Sequence, residues 1–156
     1  MSEISEAIQD KGLAFGDRVI RLNDYLLEQA ASRWSEGRRQ KEDTRRGKTL
    51  PSNISPLPSR IPVHLQSVAA LANQLLRAGT SIGANNAEAC NAISKADFKS
   101  KSFIALKEAR ESLYWIELLY RNEYLDEKQY TSIHDDCEEL VKILVHRCKK
   151  ITEQGE

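Results

Sequence analysis

The residue types that do chemistry are few in this chain and widely scattered. Its histidines are His64, His134 and His146, and its cysteines are Cys90, Cys137 and Cys148. His134 and Cys137 stand three residues apart, one helical turn, where two side chains could share a metal ion. No second pair of the kind a tetrahedral site needs accompanies them, and the Glu-x-x-His of di-iron bundles is missing. Cys137 therefore reads as a small apolar core residue, and no metal, cofactor or catalytic residue is expected. The cysteines form no C-x-x-C pair and cannot all pair within one chain, a usage that suits a reducing cytosol.

A second candidate is "GTSIGANN", residues 79–86. Glycines beside Thr and Ser resemble a phosphate-binding turn, but the preceding strand and the Gly-Lys-Ser/Thr ending of such loops are absent. The apolar spacing from Leu71 to Ile93 also continues across these glycines without a change of phase. Gly79, Ser81 and Gly83 then read as small residues that let a neighbouring helix come close, at a propensity cost of about 1 kcal/mol per glycine. Asn85 and Asn86 straddle the buried stripe. A buried, unpaired amide costs about 1–3 kcal/mol, so at least one is expected to hydrogen-bond across helices or subunits and set their register.

The third candidate is electrostatic. Basic and acidic residues balance at 23 each, so no global field draws the chain to nucleic acid or membrane. Residues 33–62, however, hold eight basic side chains against three acidic ones, a net +5. Arg38, Arg39, Lys41, Arg45, Arg46 and Lys48 could contact phosphates of RNA or DNA. A solvated loop is the plainer reading, and only Trp34 at its edge offers an aromatic for base stacking.

Four apolar-periodic stretches must position these groups. At 156 residues, 40% of them hydrophobic, the chain can build the core of one domain, residues 1–156. Helix one is expected at about 13–34, on Leu13, Phe15, Val19, Leu22, Leu26, Leu27 and Ala30. Residues 35–62 carry all four prolines and read as a long, exposed Pro/Arg-rich connection. Helix two, about 63–92, carries Val68, Leu71, Leu75, Ala78, Ile82, Ala89 and Ile93. Helix three, about 95–121, starts at a Ser94–Asp97 cap and runs through Phe98, Ser102, Ala105, Ala109, Leu113, Ile116 and Tyr120. Tyr114 and Trp115 lie beside that stripe, where they widen the core face or anchor a subunit interface. Helix four, about 127–152, starts at an Asp126–Gln129 capping box and repeats Tyr130, Ile133, Cys137, Leu140, Leu144 and Cys148. No run alternates with a strand's period, so the fold class is all-α, an antiparallel up-down four-helix bundle.

"NQLLRAGTSIGANNAEA" (residues 73–89), followed by "SKADFKSKSFIALKEARESLYWIELL", resembles the small four-helix-bundle family encoded in intervening sequences of bacterial 23S ribosomal RNA genes. Its members look like the accessory variability determinant proteins of diversity-generating retroelements. The resemblance implies a cyclic homopentamer, no established enzymatic activity and no agreed site residues. Here the connection 35–62 is longer than the family's, and Asn86 stands where the family usually has an apolar residue.

The resulting expectation is a non-enzymatic oligomeric helical scaffold that binds nucleic acid or a nucleic-acid-handling protein such as a reverse transcriptase. The alternative is a protein-interaction module with no nucleic-acid contact. The polar, mildly acidic start is unlike a secretory signal, and no run approaches the ~18 apolar residues of a membrane span. A cytoplasmic protein with no membrane contact is expected.

Overall fold

The computed structural model describes the backbone of residues 3–46 and 63–153, with side chains for residues 3–33, 35 and 66–153. Four helices follow one another: α1 Glu3–Arg46, α2 Val63–Cys90, α3 Lys95–Arg121 and α4 Glu127–Glu153. Each packs against its neighbours in sequence, and α1 closes the ring against α4 along the thinnest seam. Neither diagonal pair brings its backbones close together among the described residues. The fold is thus the antiparallel up-down bundle that the spacing predicts.

The short connections follow from local chemistry. Ser94 caps α3, its hydroxyl accepting from the Asp97 N–H at 3.1 Å while Asp97 accepts from the Ile93 N–H at 3.2 Å. Asp126 and Gln129 form the expected reciprocal box at the start of α4, at 2.8 and 3.0 Å. Between them α3 ends in a Schellman motif. Tyr124 N–H donates to the Leu119 carbonyl at 3.0 Å and Glu123 N–H to that of Tyr120 at 2.9 Å. Glu123 accordingly takes φ 60°, a conformation glycine adopts more cheaply.

The core is a continuous apolar column. Phe15, Val19 and Leu26 of α1 meet Leu75 and Ile82 of α2, Ala105, Ala109 and Ile116 of α3, and Cys137, Leu140 and Leu144 of α4. Three expected core residues lie elsewhere. Ile93 falls in the α2–α3 turn and is 95% exposed, because α2 stops at Cys90. Leu13 and Leu27 are exposed because they sit one residue past the buried Gly12 and Leu26, and that step of about 100° carries them out of the core.

α1 is longer at both ends than the apolar spacing predicts. At 44 residues it is about 66 Å long, against about 40 Å for the others. Residues 35–46, read from sequence as the start of a loop, continue the helix. Gln, Lys, Glu and Arg are good helix formers, and all four prolines come later, at 51 and beyond. The rest of the expected connection, including Lys48, lies outside the described residues.

α1 and α2 approach closely at glycines. A Cβ on Gly12 would stand 3.2 Å from the Cα of Gly83, so a methyl there would push helix backbones apart. A Cβ on Gly83 would meet Gly12 only at 3.6 Å or more, and one on Gly16 would meet nothing. Gly12→Ala is therefore expected to lower stability by about 1–2 kcal/mol despite its gain in helix propensity. Gly16→Ala should raise it by about 0.5–1 kcal/mol. Urea unfolding midpoints of the two variants, moving in opposite directions, are the check.

Candidate functional site

At the end of the bundle where α1 and α3 begin and α2 and α4 finish, the apolar column gives way to a polar layer. Its centre is Arg147, only 3% exposed. Its Nε donates to Ser102 Oγ at 3.1 Å, its Nη1 donates to Asn86 Oδ1, and its guanidinium lies 5.0 Å from the centre of the Phe98 ring. Asn86 is fully buried and uses its other end on α1, donating to Gln9 Oε1 at 2.9 Å and to the Ser5 carbonyl at 3.3 Å. Ser102 passes its own proton back to the Phe98 carbonyl at 2.7 Å. All four helices therefore meet in one chain of hydrogen bonds.

No carboxylate answers this cation within ion-pair distance among the described residues. Arg147 Nη2 is buried with no hydrogen-bond partner among them. Burial pushes the guanidinium's pKa down, opposed by the nearby Cys90 and Cys148 thiols. The acceptors that Arg147 engages on Ser102 and Asn86 are both neutral side-chain oxygens. Such a layer rewards one register of the four helices and penalises any slip that strands the charge.

The other sequence candidates separate into different places. Gly79 and Gly83 face α1, Gly79 with Val19 and Phe15 at 3.0–3.3 Å from where a Cβ would stand. Ser81 and Asn85 are half-buried, and Asn85 bonds back to the Ser81 carbonyl of its own helix at 2.9 Å. Of the two asparagines, Asn86 is the one that crosses to other helices. Tyr114 is 58% exposed and meets Trp115 edge-to-face at 4.9 Å. Trp115 packs on the core margin and donates to Glu111 at 3.0 Å. Arg38, Arg39, Lys41, Arg45 and Arg46 lie on the distal part of α1, at the end of the molecule opposite Arg147.

Arg147 escaped the reading of the sequence because a guanidinium is normally at the surface. The signal that could have found it was its spacing, three residues after Leu144 and seven after Leu140, both fully buried. Among the described residues no group of three His, Cys, Asp or Glu side chains that could hold a metal ion includes His134 or Cys137. Burial pushes the Cys137 thiol up to about 12, which keeps it protonated and poorly nucleophilic at neutral pH.

A brace of polar side chains holds the opposite end. Tyr120 and Tyr130 stack with centroids 4.2 Å apart, and the Tyr130 hydroxyl donates to Glu117 at 2.7 Å. Arg121 also donates to Glu117, at 2.6 Å, and together these bonds hold the Glu117 carboxyl below the usual carboxylate range. An open hollow of about 550 Å³ lies beside this brace, lined by Tyr25 and Arg33 of α1 and by Tyr120, Tyr124 and Asp126 around the α3–α4 turn.

By architecture the chain is an all-α, antiparallel four-helix bundle. Residues 49–146 match the family described as 23S rRNA-intervening sequence protein, and the chain belongs to that family. It is also similar to a crystal structure from Bacteroides thetaiotaomicron described as a protein of unknown function from the S23 ribosomal protein family. The two share 34% identity with a TM-score of 0.68, over 94% of this chain and 98% of the other. No curated protein matches the chain.

Two measurements check the site's chemistry. Asn86→Leu is expected to cost about 2–4 kcal/mol, because it removes a buried acceptor from a charge already short of partners. In an Arg147→Met background the same substitution should cost far less, and a double-mutant cycle by urea unfolding reads the coupling. Thiol labelling of the native protein at pH 8 should modify the half-buried Cys90 alone, with Cys137 reacting only on unfolding.

Proposed function

We propose that the protein is a non-enzymatic helical scaffold that binds nucleic acid through the distal part of α1. The observation that carries this reading is the continuation of α1 as helix to Arg46. On a helix, the three- and four-residue steps from Arg38 to Lys41 to Arg45 line up along one face. Arg39 and Arg46, seven apart, follow a neighbouring line. A loop would hold the same charges at variable separations. On a helix, positions at these steps have Cβ atoms about 5–6 Å apart, a spacing that can follow a phosphate backbone.

Charge elsewhere supports the same division of labour. The chain is neutral overall, so the +5 of residues 33–62 is balanced by −5 in the remainder. Residues 33–46, with six basic and three acidic residues, put a net +3 of this on the distal part of α1. Self-association into a homo-oligomer, a pentamer by resemblance to its relatives, would multiply a modest single-site affinity. The runner-up is a protein-interaction module, in which this end contacts an acidic protein surface instead.

Replacing Arg38, Arg39, Lys41, Arg45, Arg46 and Lys48 by Ala should weaken binding of a fluorescein-labelled RNA or DNA. The slope of log K against log salt should flatten by roughly 0.7–0.9 for each phosphate that is no longer neutralised. Absence of binding by the unaltered protein at low salt would reject the nucleic-acid reading. A light-scattering mass equal to the 17.7 kDa monomer would reject the oligomer.

A further inference from the structure

The outer flank of α1 carries two parallel seven-residue repeats that the bundle leaves unused. One is apolar: Leu13, Ile20 and Leu27 are 59%, 45% and 40% exposed. The other is acidic: Asp10, Asp17 and Asp24, all exposed. The two interlock, since Leu13 and Ile20 each have an aspartate three residues before and four after, and Asp24 stands three before Leu27. On a helix these are side-by-side neighbours, so a band of apolar surface about 20 Å long runs beside a rail of carboxylates. Exposed Glu6 and Glu28 extend the rail at its ends.

The contrast with the other side of the same helix is informative. There Lys11 and Arg18, again seven apart, face α4. Lys11 pairs with Glu139 at 2.8 Å, and Arg18 pairs with Asp136 and reaches the Ser132 hydroxyl at 2.9 Å. α1 thus already uses one charged rail to bind a helix of opposite charge. The aspartate rail has the same spacing and the opposite sign, and none of its members forms an ion pair among the described residues. Acids on α3 and α4, such as Glu117, Glu138 and Glu139, are paired.

We infer that this flank is a docking surface for a basic amphipathic helix of a partner protein. The partner helix carries apolar residues every seven positions, bordered by a rail of Lys or Arg. The apolar band supplies the contact area, as the a positions of a coiled coil do, and the aspartates select the charge of the partner. The α1 helix of a second copy fits less well. The basic rail of its α1 is engaged by its own α4, and an approaching α1 would bring its aspartates against these. The same carboxylates repel a phosphate backbone, so this surface is separate from the proposed nucleic-acid end and does not depend on it.

The test uses the full chain and a synthetic probe, a fluorescein-labelled helical peptide of about three heptads with Leu at the seam and Lys beside it. The expected result is anisotropy binding at least about tenfold tighter than to a scrambled peptide of identical composition. Leu13→Ser/Ile20→Ser/Leu27→Ser should abolish that preference. Asp10→Asn/Asp17→Asn/Asp24→Asn should weaken binding about tenfold or more and flatten its salt dependence. Both triple variants should keep the wild-type circular-dichroism melting curve, and the serine variant should keep the wild-type RNA affinity. Equal binding of ordered and scrambled peptides would overturn the inference, as would unchanged binding by both variants. So would a wild-type oligomer that excludes the peptide and that the serine variant converts to monomer, which would assign the flank to self-association.

Discussion

A guanidinium buried without a carboxylate is the constraint around which this bundle is organised. Arg147 stands on α4, but its satisfaction depends on Ser102 from α3 and Asn86 from α2, and Asn86 in turn on Gln9 and Ser5 of α1. Neutral acceptors return less to a buried charge than a carboxylate would. The surroundings must therefore supply several at once, from a single arrangement of four helices. An apolar column tolerates small slips because its contacts are non-directional. The polar layer does not, since a slip of one residue turns Asn86 away from Arg147.

Close packing enforces the same register from the other direction. Gly12 and Gly83 bring the backbones of α1 and α2 together at a level near the polar layer, and Gly79 receives Val19 and Phe15 one turn further along. Small residues on α3, Ala105 and Ala109, do the same for the inner face of that helix. Cys137 fills the space opposite, its thiol reaching the Ala109 carbonyl at 3.3 Å. The Arg147 layer and the glycine contacts hold one half of the bundle, and the Glu117–Tyr130–Arg121 brace holds the far end of α3 and α4. α1 is then free to extend past the bundle without loss of its own helical support.

The Arg147 layer lies at one end, Arg38, Arg39, Lys41, Arg45 and Arg46 stand on the distal part of α1 at the other, and Asp10, Asp17 and Asp24, without ion pairs among the described residues, lie along its outer flank. α1 is thus a core helix on one side, a partner of α4 on a second and an unoccupied surface on a third. No helix among the described residues is long and apolar enough to cross a membrane.

The sequence by itself determined the fold class, the helix order and the two capped turns. Those depend on apolar periodicity and on caps such as Ser94 and Asp126, which act within a few residues of one another. It also marked Asn86 as a polar residue on a core stripe and the glycines beside it as positions of close approach. Only the tertiary structure decided which asparagine crosses between helices, and that its partner is Arg147, 61 residues away. It likewise decided that Leu13 and Leu27 face outward. The physical reason is common to both. Apolar spacing says that a helix has a buried face, but burial is set by neighbours distant in sequence, and a charge is legible as a core residue only once its acceptors are in place.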